Sequence, residues 1–158
     1  MSPRFLLDTH IVVRWLAEPK RLSRQQTRIL NDAVRRSVPV ALSAVTLLEL
    51  AVLLSDPNQR IKVGLEELFD ELSNNPIFRI VPITIDIAAE VCRLGNSLRD
   101  PADRAIVATA RIHHLQLLTA DQRVIERYSV ERGSTSTATL IICSPPPMAT
   151  PLTGATSE

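Results

Sequence analysis

The chain has 158 residues, of which 45% are hydrophobic and 22% charged, and its formal net charge is +1. This composition is ordinary for a globular protein, and the length suits one domain with a sizeable core. A net charge this small excludes a basic field over the whole surface of the kind that binds nucleic acid without specificity.

Short apolar runs alternate with longer stretches of helical spacing along the chain. The short runs predict strands at residues 4–7, 38–42, 77–83, 115–118 and 140–143. The longer stretches predict helices at residues 11–17, 23–36, 46–55, 63–72, 85–97, 101–114 and 122–128. This alternation predicts an α/β domain with a mostly parallel sheet. The strands are apolar along nearly their whole length, which is typical of strands covered on both faces.

The helix predicted at residues 85–97 has small or apolar residues on one side, which is therefore expected to be buried. These residues are Ile85, Ala88, Ala89 and Cys92. Asp86 and Glu90 are expected to favour the positive end of the helix dipole in the first turn.

The cysteines and the two ends of the chain indicate the compartment and the domain boundary. Cys92 and Cys143 form neither a CxxC motif nor a cysteine–histidine cluster, so we expect free thiols in a reducing cytosol. The sequence has no run of about 18 apolar residues and no signal-type N-terminus, so we expect a cytoplasmic protein. Residues 144–158, rich in Pro, Ser and Thr, have too few large apolar side chains to offset the entropy of ordering. We predict one domain at residues 1–143 and a flexible tail at residues 144–158.

Acidic residues follow the predicted strands at one edge of the predicted sheet. Asp8 ends the first strand, Glu49 lies on the helix after the second, and Asp121 follows the fourth. Asp100 and Asp103 stand at the start of the helix between the third and fourth strands. Ligands of open parallel sheets bind beyond the carboxyl ends of the strands. Because a buried carboxylate is costly unless it is paired or bound to metal, this convergence predicts a cation site.

Each of these acids also has a purely structural interpretation. Asp8, Asp100 and Asp121 are each suited to cap the helix that follows. Asp103 can simply interact with the helix dipole. Glu49 is the hardest to explain in this way, because the helix around it offers little polar face.

Four segments in order resemble the PIN-domain ribonucleases and, among them, the VapC-like toxins of bacterial toxin–antitoxin pairs. "LLDTHIVVRWL" is similar to the opening Asp motif of the family, with Trp15 at the expected place. "LSAVTLLELAVL" is similar to its Ser-x-x-Thr-x-x-Glu segment, here Ser43, Thr46 and Glu49, although Leu48 stands where this subgroup often has Trp.

The other two segments complete the resemblance. "DPADRAIVATAR" is similar to the Asp-Pro-x-Asp-Arg helix start of the family, and "LLTAD" to its last acidic motif, which carries over Asp103 and Asp121. The resemblance covers residues 4–128 and leaves out the tail. Any one motif is weak, whereas the four in family order are specific.

The resemblance implies a PIN-like three-layer sandwich with a five-stranded, mostly parallel sheet in the order 3-2-1-4-5, flanked by helices. It also implies a site for Mg²⁺ or Mn²⁺. The catalytic and metal-binding residues that it implies are Asp8, Glu49, Asp103 and Asp121. Oxygen ligands of this kind favour hard divalent ions, and the histidines have no zinc-like spacing. His113 and His114 are expected at a helix C-terminus, where imidazole suits the dipole.

Further candidates would orient a carboxylate or meet the substrate: Thr9, His10, Asp100, Arg104 and Thr119. The hydroxyl of Thr9 or Thr119 suits a carboxylate or water, and Arg104 suits either a phosphate or a pairing with Asp100 or Asp103. His10 either faces the pocket or lies on the surface. The implied reaction is hydrolysis of an RNA phosphodiester by metal-activated water, and RNA recognition is expected to rest on RNA shape and a few phosphate contacts.

Two other classes of function remain. An aspartyl-nucleophile phosphatase of the haloacid-dehalogenase type also has Asp after its first strand, but it needs a second Asp where this chain has His10. A noncatalytic RNA-binding or regulatory domain of the same fold is the other alternative. Nucleotide-binding folds are disfavoured, because the glycines are too far apart for a phosphate-binding loop.

The segment "TLLELAVLL" is apolar on almost every side, which predicts either complete burial or a protein interface. The resemblance implies a small cognate antitoxin that binds near Thr46 to Leu54 and blocks cleavage. Single replacements with Glu should test this interface at Leu47, Leu50 and Leu54. Self-association as a homodimer is expected to use another helical face.

Overall fold

The computed structural model describes residues 1–59, 61–128 and 140–142. Its strands are β1 (Phe5–Leu7), β2 (Val40–Ser43), β3 (Phe78–Val81), β4 (Gln116–Leu118) and β5 (Leu140–Ile142). Its α-helices are α1 (Thr9–Ala17), α2 (Arg24–Arg35), α3 (Ala44–Ser55), α4 (Leu65–Asn74), α5 (Ile85–Leu94), α6 (Pro101–Ile112) and α7 (Gln122–Tyr128). Short 3-10 turns lie at Pro19–Arg21 and Gly95–Ser97. Every predicted strand and helix is therefore present, with ends shifted by a few residues.

The strands form one sheet in the order β3-β2-β1-β4-β5, which confirms the predicted order. β1 pairs in parallel with β2 on one side and β4 on the other, and β2 pairs in parallel with β3. The edge strand β5 is antiparallel to β4, so the sheet is mostly and not wholly parallel. Because β1, β2 and β4 run the same way, the segments that follow them lie at the same edge of the sheet.

Helices cover both faces of the sheet and give three layers. Leu6 of β1 is fully buried and faces α5, α6 and α7, in one core with Val107. Leu7 is fully buried and faces α1 to α4, in a second core with Leu50. Successive side chains of a strand point to opposite faces, so β1 contributes to both cores. Full burial of each such leucine contributes about 1.5–3 kcal/mol to stability.

The buried side of α5 differs from the prediction. Ile85 is 87% exposed, whereas Ile87 and Glu90 are buried. Glu90 can be buried because two arginines neutralise it: Arg93 Nη1 lies 3.1 Å from its carboxylate and Arg111 Nη1 lies 2.9 Å away. Ile87 and Leu94 of α5 pack in the first core, so the expected side of the helix, which includes Cys92, faces outward. Glu90 therefore links α5 to α6 and has no role in the first turn.

The cysteines and the predicted tail lie only partly among the described residues. Cys92 is a free thiol, as expected. Cys143 and the predicted tail at residues 144–158 lie outside the described residues. Within the described ranges, no helix has the length and hydropathy needed to cross a membrane.

Candidate active site

Asp8 lies directly after β1 and is held from the neighbouring strand. Its backbone N–H donates to the Leu118 carbonyl at 3.0 Å, which continues the pairing of β1 with β4. The fully buried Thr119 donates its hydroxyl to Asp8 Oδ2 at 2.5 Å. The same Thr119 oxygen accepts from the Asp121 N–H at 3.0 Å. Asp8 is the N-cap residue of α1, but its side chain makes no capping bond, so the capping interpretation of this carboxylate is wrong.

Glu49 projects from the second turn of α3, which Ser43 caps by accepting from the Val45 N–H at 3.3 Å. The Thr9 hydroxyl donates to the Glu49 carboxylate and lies 3.3 Å from the Thr46 hydroxyl. Partial burial raises the pKa of Glu49, and the Asp8 and Asp100 charges raise it further, against the lowering effect of the Thr9 bond. Thr9 thus orients a carboxylate, as proposed from the sequence.

Asp103 stands one turn inside α6, whose start is capped by a different acid. Asp100 Oδ1 accepts from the Ala102 N–H at 2.8 Å, and Pro101 occupies the first helical position. Burial of Asp103, whose side chain is 14% exposed, raises its pKa to about 6. The nearby charges of Asp100, Asp8 and Asp121 add to this shift. Asp103 is therefore not needed to begin the helix. Its pKa depends on the charges of the other acids.

Asp121 follows β4 and has two roles. Its Oδ1 accepts from the Arg123 N–H at 2.8 Å, so it caps α7. The Arg123 side chain binds the same carboxylate through Nε to Oδ1 at 3.2 Å and through Nη2 to Oδ2 at 2.8 Å. These hydrogen bonds lower the pKa of Asp121, in contrast to the raised pKa of Asp103.

The other basic candidates occupy different positions. His10 has a side chain that is 65% exposed, with Nδ1 3.9 Å from Asp8 Oδ1, and the Asp8 carboxylate raises its pKa. Arg104 pairs with neither Asp100 nor Asp103, because its Nη1 instead donates to the Gly95 carbonyl at 3.1 Å. That arginine therefore connects α6 to the turn after α5.

His113 is the C-cap residue of α6, and His114 follows it with a positive φ of 54°. Both histidines thus end the helix, as expected from the sequence.

The structure brings four of the predicted acids to the carboxyl end of the sheet, and we call this group the acidic edge. Its members are Asp8, Glu49, Asp103 and Asp121. Their charges act on one another through the site, yet no three His, Cys, Asp or Glu side chains in the described ranges are arranged to hold a metal ion. The donor chemistry suits a hard cation, because carboxylates supply only oxygen. The raised pKa of Asp103, which is caused first by burial and then by the charges of Asp100, Asp8 and Asp121, agrees with a site that favours added positive charge.

Two clefts border the acidic edge. One has a volume of about 410 Å³ and is basic, since Arg99, Arg123 and Arg127 line it beside Asp103. The other, of about 520 Å³, is mostly apolar and lies beside Glu49. We call them the arginine cleft and the apolar groove.

The apolar groove corrects the choice of exposed side chains on α3. Leu48 and Val52 line it and are each 69% exposed, and the less exposed Leu53 also lines it. Leu50 is buried, and Leu47 and Leu54 pack against the core. The three leucines chosen from the sequence for an interface therefore face inward, because α3 turns that side towards α1 and the sheet.

The sequence did not indicate two residues that support the site. Arg123 lies outside the motifs, and only its position two residues after Asp121 could have drawn attention to it. Gln26 is buried, and its side-chain N–H donates to the Thr119 carbonyl at 3.5 Å. The same side chain forms a capping box with Ser23 at the start of α2. The Ser-x-x-Gln spacing of that box is a recognisable signal in the sequence.

Comparison with known proteins agrees with this geometry. The PIN domain profile matches residues 5–131. Ribonuclease VapC22 from Mycobacterium tuberculosis (strain ATCC 25618 / H37Rv) is 34% identical over 120 residues, which is 75% of this chain and 88% of that protein.

Solved structures with a similar fold come from related assemblies. FitAcB from Neisseria gonorrhoeae has a TM-score of 0.57 and 25% identity over 78% of this chain and 91% of that one. FitAB bound to an IR36 DNA fragment has a TM-score of 0.56 and 26% identity over 78% and 89% of the two chains. A toxin–antitoxin complex from Klebsiella pneumoniae has a TM-score of 0.53 and 25% identity over 76% and 88%.

The profile match spans most of the chain and includes every member of the acidic edge. The sheet order and the four motifs agree with that match. This chain therefore belongs to the PIN-domain family.

Proposed function

We propose that this chain is a metal-dependent ribonuclease and the toxin of a toxin–antitoxin pair. The observation that supports this proposal most is that carboxylates from four separate segments meet at the acidic edge. The fold does not require such a concentration of negative charge, since burial and repulsion raise the pKa of Asp103 to about 6. Perturbed carboxylates gathered in a cleft are characteristic of functional sites.

Mg²⁺ or Mn²⁺ is the cofactor that suits the acidic edge. Asp8, Glu49, Asp103 and Asp121 would hold one or two ions directly or through water. A bound ion would supply a Lewis acid and lower the pKa of a water molecule. The protein's own residues orient the carboxylates, since Thr119 donates to Asp8 and Thr9 donates to Glu49.

The two clefts suit an RNA strand that crosses the acidic edge. Arg99 and Arg127 of the arginine cleft would contact backbone phosphates, and the apolar groove would receive a base or ribose. His10 lines the apolar groove with an exposed side chain, and its imidazole would contact a backbone phosphate there. With a net charge of +1, the number of phosphate contacts is small, and so is the expected salt dependence of binding.

A small antitoxin that covers the apolar groove is the second part of the proposal. Leu48 and Val52 expose apolar surface next to Glu49, and such a patch usually marks an interface. The similar Klebsiella pneumoniae structure is a toxin–antitoxin complex. A partner bound here would cover one entrance to the acidic edge. Two copies of the toxin would associate through another helical face. The protein would act in the cytoplasm.

Cleavage of RNA by the purified chain tests the proposal. The wild type should cut a mixed RNA pool in Mn²⁺ at defined positions, mapped by sequencing the new ends, and should not cut it in excess chelator. Asp103→Asn should lower the rate at least about 100-fold, the smallest effect expected of a group that takes part in the chemistry.

Glu66→Gln is the matched control, since Glu66 is an exposed acid of the first turn of α4. That variant should cleave like the wild type. A folded wild type that binds RNA without cutting it would support the noncatalytic alternative. Cleavage that persists in folded Asp103→Asn would contradict the role of the acidic edge.

A further inference from the structure

We infer that Arg123 is a built-in competitor of the metal ion, which neutralises Asp121 and Asp103 when no ion is bound and leaves them when an ion binds. The inference rests on the proposed metal site and adds to it a means of controlling its occupancy. It concerns one side chain of α7 that belongs to none of the family-like motifs.

The contacts of Arg123 involve the oxygens that an ion would need. Nη2 lies 2.8 Å from Asp121 Oδ2, and Nε lies 3.2 Å from Asp121 Oδ1. Both oxygens of this carboxylate thus have a guanidinium donor. Nη2 also lies 3.8 Å from Asp103 Oδ2, so one cation bridges two members of the acidic edge. An ion that binds Asp121 directly would compete with this guanidinium for the same carboxylate oxygens.

Arg123 is the main protein counter-charge of this part of the site. Among the described residues, the ion pairs made by the acidic edge are those of Arg123 with Asp103 and Asp121 and that of His10 with Asp8. A divalent ion brings twice the charge of a guanidinium to the same oxygens. Binding of the ion therefore removes the electrostatic reason for Arg123 to stay.

The side chain is able to leave because little else holds it. It is 72% exposed, and the N–H of residue 123 that donates to Asp121 belongs to the backbone and remains after the side chain moves. Arg123 lines the arginine cleft together with Arg99 and Arg127. Metal binding would thus free the charge of Arg123 within a cleft suited to phosphate, and the metal ion and the phosphate would bind cooperatively.

Metal titration of Arg123→Gln, without RNA, tests the inference. The measurement is the Mn²⁺ concentration that half-saturates the folded protein, obtained from the logarithmic rise of the melting temperature with Mn²⁺ concentration. That concentration should fall about two- to fivefold in Arg123→Gln, the range expected from loss of an exposed ion pair. In Mg²⁺ the NMR signal of the Arg123 Nε–H group should shift in the wild type as the ion binds, reporting that the guanidinium leaves Asp121.

Arg127→Gln is the matched control, because it removes the same charge from the same helix and cleft. An equal fall in both variants, or weaker metal binding by Arg123→Gln, would overturn the inference while leaving the metal site in place. A wild type and an Arg123→Gln variant that both ignore millimolar Mn²⁺ would overturn the metal site and the inference together. Stabilisation by Mn²⁺ only after the substitution would support both.

Discussion

Asp103 is held at a position where its negative charge is unfavourable to folding. Burial and three neighbouring acids raise its pKa from 3.8 to about 6. The folded state therefore binds this proton more tightly than the unfolded state does. As the pH rises from about 4 to 6, the free energy of unfolding therefore falls relative to that of a variant with a neutral side chain at position 103.

Asp103→Asn should stabilise the metal-free protein at pH 7. We expect a gain of about 1–3 kcal/mol, since each pKa unit corresponds to about 1.4 kcal/mol. The gain should vanish below about pH 3, where Asp103 of the wild type is protonated in both states. Urea denaturation in chelator at several pH values measures this, and a gain that does not depend on pH would exclude the charge as its cause.

Thr119 connects two members of the acidic edge through one hydroxyl. Thr119→Val keeps the shape but leaves the buried Asp8 carboxylate and the Asp121 N–H without this partner. We expect a loss of about 1–3 kcal/mol in unfolding free energy. Denaturant titration measures the loss.

Thr109→Val is the control for Thr119→Val. Thr109 is equally buried, and its hydroxyl lies 3.4 Å from the Ser43 hydroxyl without a hydrogen bond to any member of the acidic edge. It donates to the Ala105 carbonyl of its own helix at 2.7 Å. Such a bond contributes little to helix stability. If the two valine variants lose the same stability, the link between Asp8 and Asp121 has no special energetic role.

The sequence predicted the positions of the acids better than their partners. Asp8 and Asp121 could be located because each follows an apolar strand, and parallel strands deliver their ends to one edge. The side chains that hold them come from distant segments or lie outside the motifs, as Gln26 and Arg123 do. Their contacts depend on rotamers and helix orientation, which local patterns do not determine.

At the level of elements, α3 shows where hydrophobicity alone is insufficient. Its sequence is apolar on nearly all sides, so it could not indicate which leucine faces the core. The structure buries Leu50 and exposes Leu48. Hydrophobicity alone is also insufficient for α5. Glu90 of this helix is buried with two arginines paired to it, and the expected apolar side is exposed.

Alanine substitutions on α3 should distinguish its two sides. Leu50→Ala should cost about 2–5 kcal/mol, because it opens a cavity in a well-packed core. Leu48→Ala should change stability by no more than about 0.5 kcal/mol, since it removes exposed surface. Thermal and urea unfolding of both variants measures the difference, and similar losses would show that the groove side of α3 is also core.

At the level of the whole molecule, the core and acidic-edge side chains that the structure describes lie between Leu6 and Tyr128. The composition of residues 144–158 gives them little apolar surface to bury. A chain ending at Cys143 should therefore keep its melting temperature within about 2 °C of the full chain, the shift that about 0.5 kcal/mol produces.

Calorimetry of the two chains tests this domain boundary. RNA cleavage and metal stabilisation should also be unchanged by the truncation. A larger fall in melting temperature would assign residues 144–158 to the folded domain.

The hydrogen bond from Thr119 to Asp8 joins residues 111 positions apart in the chain. During synthesis, Asp8 leaves the ribosome first, and Thr119 follows it only after a further 111 residues have been added. Contacts between segments so far apart form slowly, because a long loop must close first. A growing or prematurely terminated chain thus has only part of the acidic edge. The site that we propose to cut RNA comes together only after Thr119 and Asp121 have left the ribosome.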